Sequence, residues 1–263
     1  MQKGANKRGQ VTIFIIIAIL VVGIVALIFF LVPRTTTETG FNPESPEAFM
    51  QNCLDGPIED VVSTVSAQGG SVVPEFYFMY GGERIEYLCY TNEYYKTCVV
   101  QQPMLKQHIE SEISDAIVGD ASSCFTSLQE NYRADGYSVE LQQGITNVEL
   151  LPKRIVVSFP DYVLTTTKGE TARHDAFSVV LNNNLYELTS IANSIIDWES
   201  REGDAETTTY MSFYKYLKVE KKGQLDGTTI YILTDKDTGN KFQFASRSNA
   251  ASPDYGLAGI SPA

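Results

Sequence analysis

Between Val11 and Val32 the chain runs for 22 residues without a charge, and Thr12 is its sole polar side chain. At about 1.5 Å of rise per residue this run spans the roughly 30 Å hydrocarbon layer of a bilayer, which predicts a transmembrane helix. A buried soluble helix rarely extends this far without a polar face. A secretory signal has a shorter apolar core, about 7 to 15 residues, and a small-x-small cleavage site; neither is found here. Lys3, Lys7 and Arg8 precede the run and Arg34 alone closely follows it. Positive charge stays inside. Residues 1–10 are therefore expected to form a basic cytoplasmic tail, with the rest of the chain outside the cell membrane.

Beyond the apolar run, 33–46 is rich in Thr, Pro and Glu, as in an extended stalk. In "EAFMQNCLDGPIEDVVSTVSAQGG", Phe49, Cys53, Leu54, Ile58, Val61, Val62 and Val65 recur at a helical period. Pro57 predicts a kink or a restart in this helix, and Gly69-Gly70 its end. Residues 71–100 are aromatic and β-branched around a Gly81-Gly82 turn, which predicts short strands. Leu105, Ile109, Ile113 and Ile117 then mark an amphipathic helix ending near Gly119, with a further turn or two carrying Cys124, Phe125 and Leu128. From Tyr137 to Leu181 the segments "YSVELQQG", "NVELL", "RIVVSFPDYVLTTTKG" and "DAFSVVLN" predict a β-meander. "NLYELTSIANSIIDWES" returns to helix, with Leu185, Leu188, Ile191, Ile195 and Trp198 expected on one face. A short helix and three strands, "YLKVEKKG", "TTIYILTDKD" and "KFQFASRS", complete the pattern.

The fold class is thus α+β: a transmembrane helix (11–32), a stalk (33–46), an outer α+β domain (47–203) of antiparallel meanders and about four helices in all, a C-terminal helix and meander packed on it (204–247), and a disordered tail (248–263).

Charge narrows the company this chain keeps. All 32 acidic residues follow position 34, against sixteen Lys and Arg there, so the outer part carries a net charge of −16. Nucleic acid requires a basic footprint and is excluded as a partner. Close contact with anionic lipid is disfavoured as well. The chemistry expected of so acidic a surface is simple solvation.

Four cysteines, Cys53, Cys89, Cys98 and Cys124, all fall in the outer part, where an even number suggests two disulfides in one of three pairings. Cys89 and Cys98 lie symmetrically about Glu93 and Tyr94, as facing positions across a tight hairpin would, leaving Cys53 and Cys124 to tie two helices. No Cys-x-x-Cys occurs, and His108 and His174 are far apart, so neither zinc nor any other cofactor is expected.

No strong catalytic motif is present, and no enzyme activity is expected. Ser212 and Lys215 have the Ser-x-x-Lys spacing by which a lysine one helical turn on can deprotonate a serine, a pattern common by chance. Asp235 and Asp237 are spaced like the first ligands of a calcium loop, but Gly239 comes one place early and Ser246 stands where the bidentate Glu belongs, so a polar hairpin turn is the better reading. The dense aromatics from Phe76 to Tyr95 suit half-buried strands; Tyr87, Tyr90, Tyr94 and Tyr95 are the candidates for a partner surface. No Asn-x-Ser/Thr acceptor exists.

Several of these pieces, "KRGQVTIFIIIAI", "NCL", "QGG", "DAFSVVL" and "KFQFASRS", together resemble a family of uncharacterised single-pass membrane proteins of small-genome archaea, over most of residues 7–247. The resemblance implies membrane anchoring and an α+β outer domain, and brings no catalytic residue. "KRGQ" before an apolar helix also resembles the archaeal class III signals of pilin-type proteins, which would be cut between Gly9 and Gln10. Such signals carry a Glu at the fifth mature residue. Here that place is Phe14, and an amine left unpaired in hydrocarbon is costly. The expected function is a membrane-anchored outer-surface protein serving in binding or assembly, with other surface proteins or its own copies as partners. The rivals are a pilin-like filament subunit and a Ser212/Lys215 surface hydrolase.

Overall fold

A computed structural model describes residues 42–250 together with Ile17. The predicted membrane helix, the processing site at Gly9 and Gln10, residues 33–41 of the stalk and residues 251–263 lie outside the described residues. Among the described residues no helix is long and apolar enough to cross a membrane. Residues 42–250 belong to one unit of α+β class, with four helices and mainly antiparallel sheets among the described residues.

Pro46, whose missing N–H costs nothing in a first turn, opens α1 (Pro46–Gln68). Met50, Leu54, Ile58, Val62 and Val65 form its buried stripe. The helix runs unbroken through Pro57, correcting the expected restart. Proline removes the bond to the carbonyl four residues back, that of Cys53, yet the apolar stripe continues on both sides and packing holds the helix together. Gly69 ends it in a left-handed conformation at φ 88°, and a Cβ there would come within 2.9 Å of Glu86 Cβ, so glycine is required twice over.

The second helix, α2 (Leu105–Ala134), is a single 30-residue element. Gly119 does not stop it. The stripe Leu105, Ile109, Ile113, Ile117 continues as Ala121, Cys124, Phe125, Leu128 and Tyr132, and burying these side chains outweighs the roughly 1 kcal/mol a mid-helix glycine costs. The last residues assigned to the stalk belong to this packing: the Tyr132 hydroxyl donates to the Pro43 carbonyl at 2.6 Å. Cys53 and Cys124 join α1 to α2. Closing a loop of 71 residues, this bridge stabilises by about 4 kcal/mol in the chain-entropy account, against about 2.5 for the nine-residue Cys89–Cys98 loop.

The central meander is three long strands, each bent in the middle. The pieces are β4 (Ser138–Gln142) and β5 (Asn147–Leu151), then β6 (Arg154–Ser158) and β7 (Val163–Lys168), then β8 (Glu170–His174) and β9 (Ser178–Asn182). Because the middle strand runs opposite to its neighbours, its second piece pairs with the first pieces of the outer two and its first piece with their second pieces, giving separate antiparallel sheets β4-β7-β8 and β5-β6-β9. At the bend, Ile145 N–H donates to the Pro160 carbonyl and Phe159 N–H to the Phe177 carbonyl. A Cβ on Gly144 would lie 2.1 Å from the Pro160 oxygen. Phe159, Tyr162 and Phe177 leave the bend to surround Phe125 of α2, with ring centroids 4.1–5.4 Å away. The polar strand β8, "ETARH", went unforeseen because it buries no stripe.

The larger sheet has the order β1-β2-β12-β11-β10, with β3 (Val99–Val100) also on β2. Its hairpin of β1 (Tyr77–Tyr80) and β2 (Glu83–Tyr90) turns at Gly81 and Gly82, both at positive φ as a primed two-residue turn requires. The C-terminal meander, β10 (Leu217–Gly223), β11 (Thr228–Asp235) and β12 (Lys241–Arg247), joins it through parallel pairing of β12 with β2. A boundary at 203/204 therefore crosses a continuous sheet. The tail assignment is corrected for 248–250: the Ser248 hydroxyl donates to the Glu199 carbonyl, Asn249 N–H donates to the Lys96 carbonyl, and Ala250 is buried.

Helix α3 (Leu185–Glu202) packs on β12 and β11 of the large sheet and on β6 and β5 of the small one. It buries Leu188, Ile191, Ala192, Ile195, Ile196 and Glu199. Trp198, expected inside, is 48% exposed. The short α4 (Thr207–Phe213) follows.

Candidate functional site

The expected tyrosine surface does not exist as one patch. Tyr87 is 6% exposed, packs with Ile85, Ile230 and Ala245, and bonds Thr228 Oγ1 through its hydroxyl at 2.8 Å. Tyr90 is half-buried beside it, with centroids 4.9 Å apart. Tyr94 and Tyr95 are exposed on the loop 91–98. The Arg247 guanidinium joins Tyr90 to Tyr94, lying 5.8 and 5.5 Å from their ring centroids, while its N–H groups donate to the Asp226 and Thr91 carbonyls. The loop is no tight hairpin: Cys89 faces Val100, and Cys98 bonds Cys89 from just before β3.

The Ser-x-x-Lys pair is not assembled either. Ser212 lies in α4 and donates to the Thr208 carbonyl, whereas the extended Tyr214 ends the helix before Lys215. The two are not on successive turns. Asp235 heads a hairpin turn as expected: its Oδ1 accepts from the Asp237 and Thr238 N–H groups, and it is buried. Among the described residues no group of three or more His, Cys, Asp or Glu could hold a metal.

Two buried polar clusters were not foreseen. Ser71 Oγ donates to Glu86 at 2.5 Å and lies 2.8 Å from His108 Nε2. Ser71 Oγ thus bridges the Glu86 carboxyl and the His108 imidazole. Burial raises Glu86 above the ordinary carboxylate range, against the Ser71 bond and the nearby imidazole. At the C-terminal end of α3, Glu199 accepts from the Tyr231 and Ser246 hydroxyls and from Ala205 N–H. Burial again raises the carboxyl, and burial together with the Glu199 charge raises the Tyr231 phenol. Both clusters are inside the fold.

A feature open to solvent is at the other end of α3. There a cleft of about 530 Å³ forms between the β5–β6 turn, the β9–α3 junction and the β11–β12 hairpin, within the roughly 300–1,000 Å³ of small-molecule sites. Its walls follow from local chain chemistry. Asn183 Oδ1 accepts Leu185 N–H at 2.8 Å, tying down the entry to the helix. Lys153, at φ 63° in a two-residue turn, offers its carbonyl to Asn183 N–H and its N–H to Glu187 Oε1 at 3.0 Å. Asn184 binds the far wall, donating to Asp235 and accepting from Thr238 Oγ1 and Asn240 Nδ2.

Once these bonds are made, several groups lining the cleft have no partner within the protein among the described residues. Glu187 Oε2 is buried without a hydrogen-bond partner. The Asn183 Nδ2 donor, the Asp237 carboxylate and the Tyr216 hydroxyl also have none among the described residues. Burial raises the Tyr216 phenol, with Tyr214 and the Glu187 and Asp235 charges adding to it, so it is a neutral donor and acceptor. Lys153 against Glu187, Asp235 and Asp237 leaves the lining at net −2. A second, aromatic groove lies between α3 and α4, where Trp198, Phe213 and Tyr214 are exposed around the Ser194–Tyr210 hydrogen bond.

No protein-family model, curated protein or solved structure matches the chain. The reading of the cleft rests on its geometry. Sequence reasoning passed over "NNN" at 182–184 as a break between strand and helix; its signal was the density of asparagine there and at "TGN", two turns that the fold brings together.

Proposed function

We propose that this protein is a membrane-anchored outer-surface binding module that presents the α3 cleft to small polar ligands. The anchor is the apolar run 11–32, and the compartment follows from the basic residues before it and from two disulfides in the part beyond it. The observation that carries the binding role is Glu187. Buried polar atoms are nearly always paired, and the Glu199 carboxylate on the same helix has three donors, yet Glu187 Oε2 has none. A polar atom held unpaired beside an open cleft suits a site completed by a ligand.

A library of small polar solutes added to the full chain in detergent tests this by thermal unfolding. A ligand at one hundred times its Kd stabilises a native protein by about 2.7 kcal/mol. The expected result is at least one stabilising solute whose effect is cancelled by Glu187→Gln; a library without such a solute refutes the binding role. Intact mass of the protein from its native membrane tests the anchor. A chain retaining Lys7 to Gly9 is expected, and one starting at Gln10 would move the pilin-like reading to the front.

A further inference from the structure

We infer that the α3 cleft is a carbohydrate site, reading a vicinal diol between Glu187 and Asn183 with Tyr216 beside it. This rests on the cleft being the binding site proposed above. Four ligand chemistries can be compared with the groups left free. An anion is opposed by the net −2 of the lining. An apolar molecule would leave the buried Glu187 Oε2 still unpaired and would cover the Asn183 amide and the Asp237 carboxylate without giving them partners, which is unfavourable. A simple amine satisfies the carboxylates but leaves the Asn183 Nδ2 donor without an acceptor and sets a second cation in a lining that already includes Lys153. A sugar hydroxyl both donates and accepts. Adjacent hydroxyls can thus give a proton to Glu187 Oε2 or Asp237 while accepting from Asn183 Nδ2, and Tyr216 matches either role.

The free groups also hold their positions before a ligand arrives. Asn183 is fixed through its Oδ1 bond to Leu185 N–H and Glu187 through its Oε1 bond to Lys153 N–H, so both side chains are already ordered at the cleft and lose little freedom on binding. The same diol occurs at the end of a surface glycan and in a free oligosaccharide.

The test uses the full chain in a polyoxyethylene detergent, which carries no sugar headgroup, with maltotriose, mannotriose and chitotriose as probes in titration calorimetry. Glu187→Gln turns the free acceptor into a donor and keeps the other oxygen for Lys153. Asn183→Asp removes the Nδ2 donor and keeps the helix-entry acceptor. Each is expected to weaken binding roughly tenfold or more, the loss that follows from removing a hydrogen bond to a charged group or leaving one unpaired. Glu170→Gln, on exposed β8 outside the cleft, should leave binding unchanged. Unfolding midpoints measured on the same samples separate lost contacts from lost fold. Retention on immobilised mannan against mannotriose binding in solution distinguishes a glycan chain from a free sugar.

Failure of all three probes to bind, or binding that survives both cleft variants, overturns the assignment. Putrescine is the control amine. If it binds and Glu187→Gln abolishes this while no sugar binds, the sugar class is wrong and the cleft remains a binding site. If no probe and no library solute binds, both readings fall.

Discussion

Helix α3 carries a glutamate near each end, and the two ends are built for different purposes. Glu199 is sealed under β11 and β12 with three donors on its carboxylate, while Glu187 faces a cleft with one donor and a free oxygen. A buried carboxylate with full hydrogen bonding specifies the packing of a core. One left half-bonded beside a cleft adds little to stability and keeps its second oxygen uncommitted to the fold. The same residue type, twelve positions apart, is thus structural at one end and available at the other.

The largest expected effect separates the ends by truncation. Glu199→Ala leaves the Tyr231 and Ser246 hydroxyls and Ala205 N–H buried without an acceptor, and each such group costs about 1–3 kcal/mol. A loss of roughly 3–5 kcal/mol in urea unfolding is expected, against about 1 kcal/mol for Glu187→Ala, whose loss is the single bond to Lys153 N–H. Equal losses would erase the distinction.

Asn184→Ala comes next and tests whether the cleft wall is a built structure. Its amide holds Asp235, Thr238 and Asn240 together. A cost of about 1–3 kcal/mol is expected, together with lost ligand stabilisation; an unaffected protein would mean the β11–β12 hairpin holds its shape unaided.

Acidity sharpens the comparison further. Burial raises both Glu199 and Glu86 above the ordinary value of 4.5. The folded chain holds these protons more tightly than the unfolded one, so the stability they confer is complete below about pH 4.5 and is lost as pH rises through the raised values. Glu199→Gln mimics the protonated carboxyl. It should lose less stability than the wild type between pH 4.5 and pH 8, and parallel urea midpoints across that range would contradict the assignment.

How much of this was legible beforehand depends on whether the signal was local. The stripes of α1 and α2 and the three-stranded C-terminal meander were readable from periodicity, as were turns such as Gly81-Gly82. The phase of α3 was misread because a ladder of threes drifts: at about 100° per residue, Trp198 is some 140° around the helix from Leu185, whereas Glu199 is within about 40°. Glycine and proline signals in α1 and α2 were overridden by burial along an unbroken stripe. The parallel pairing of β12 with β2 and the cleft itself were beyond local reading, because residues near 153, 183, 216 and 237 each look like ordinary turns or strand ends until the fold collects them.

The smallest expected effect is on Glu187→Gln, and it bears most directly on what the cleft is for. The substitution keeps an oxygen for Lys153 N–H and removes a negative charge from a lining already at net −2. Relief of like-charge repulsion and weakening of one charged hydrogen bond oppose each other, each on the order of 0.5–1 kcal/mol. The unfolding midpoint should therefore stay within about 0.5 kcal/mol of the wild type. A cost of 2 kcal/mol or more would mean that Oε2 has a structural partner after all, and Glu187 would then join Glu199 as part of the core. Near-neutral stability combined with lost ligand binding is the combination that separates a group reserved for a ligand from one committed to the fold.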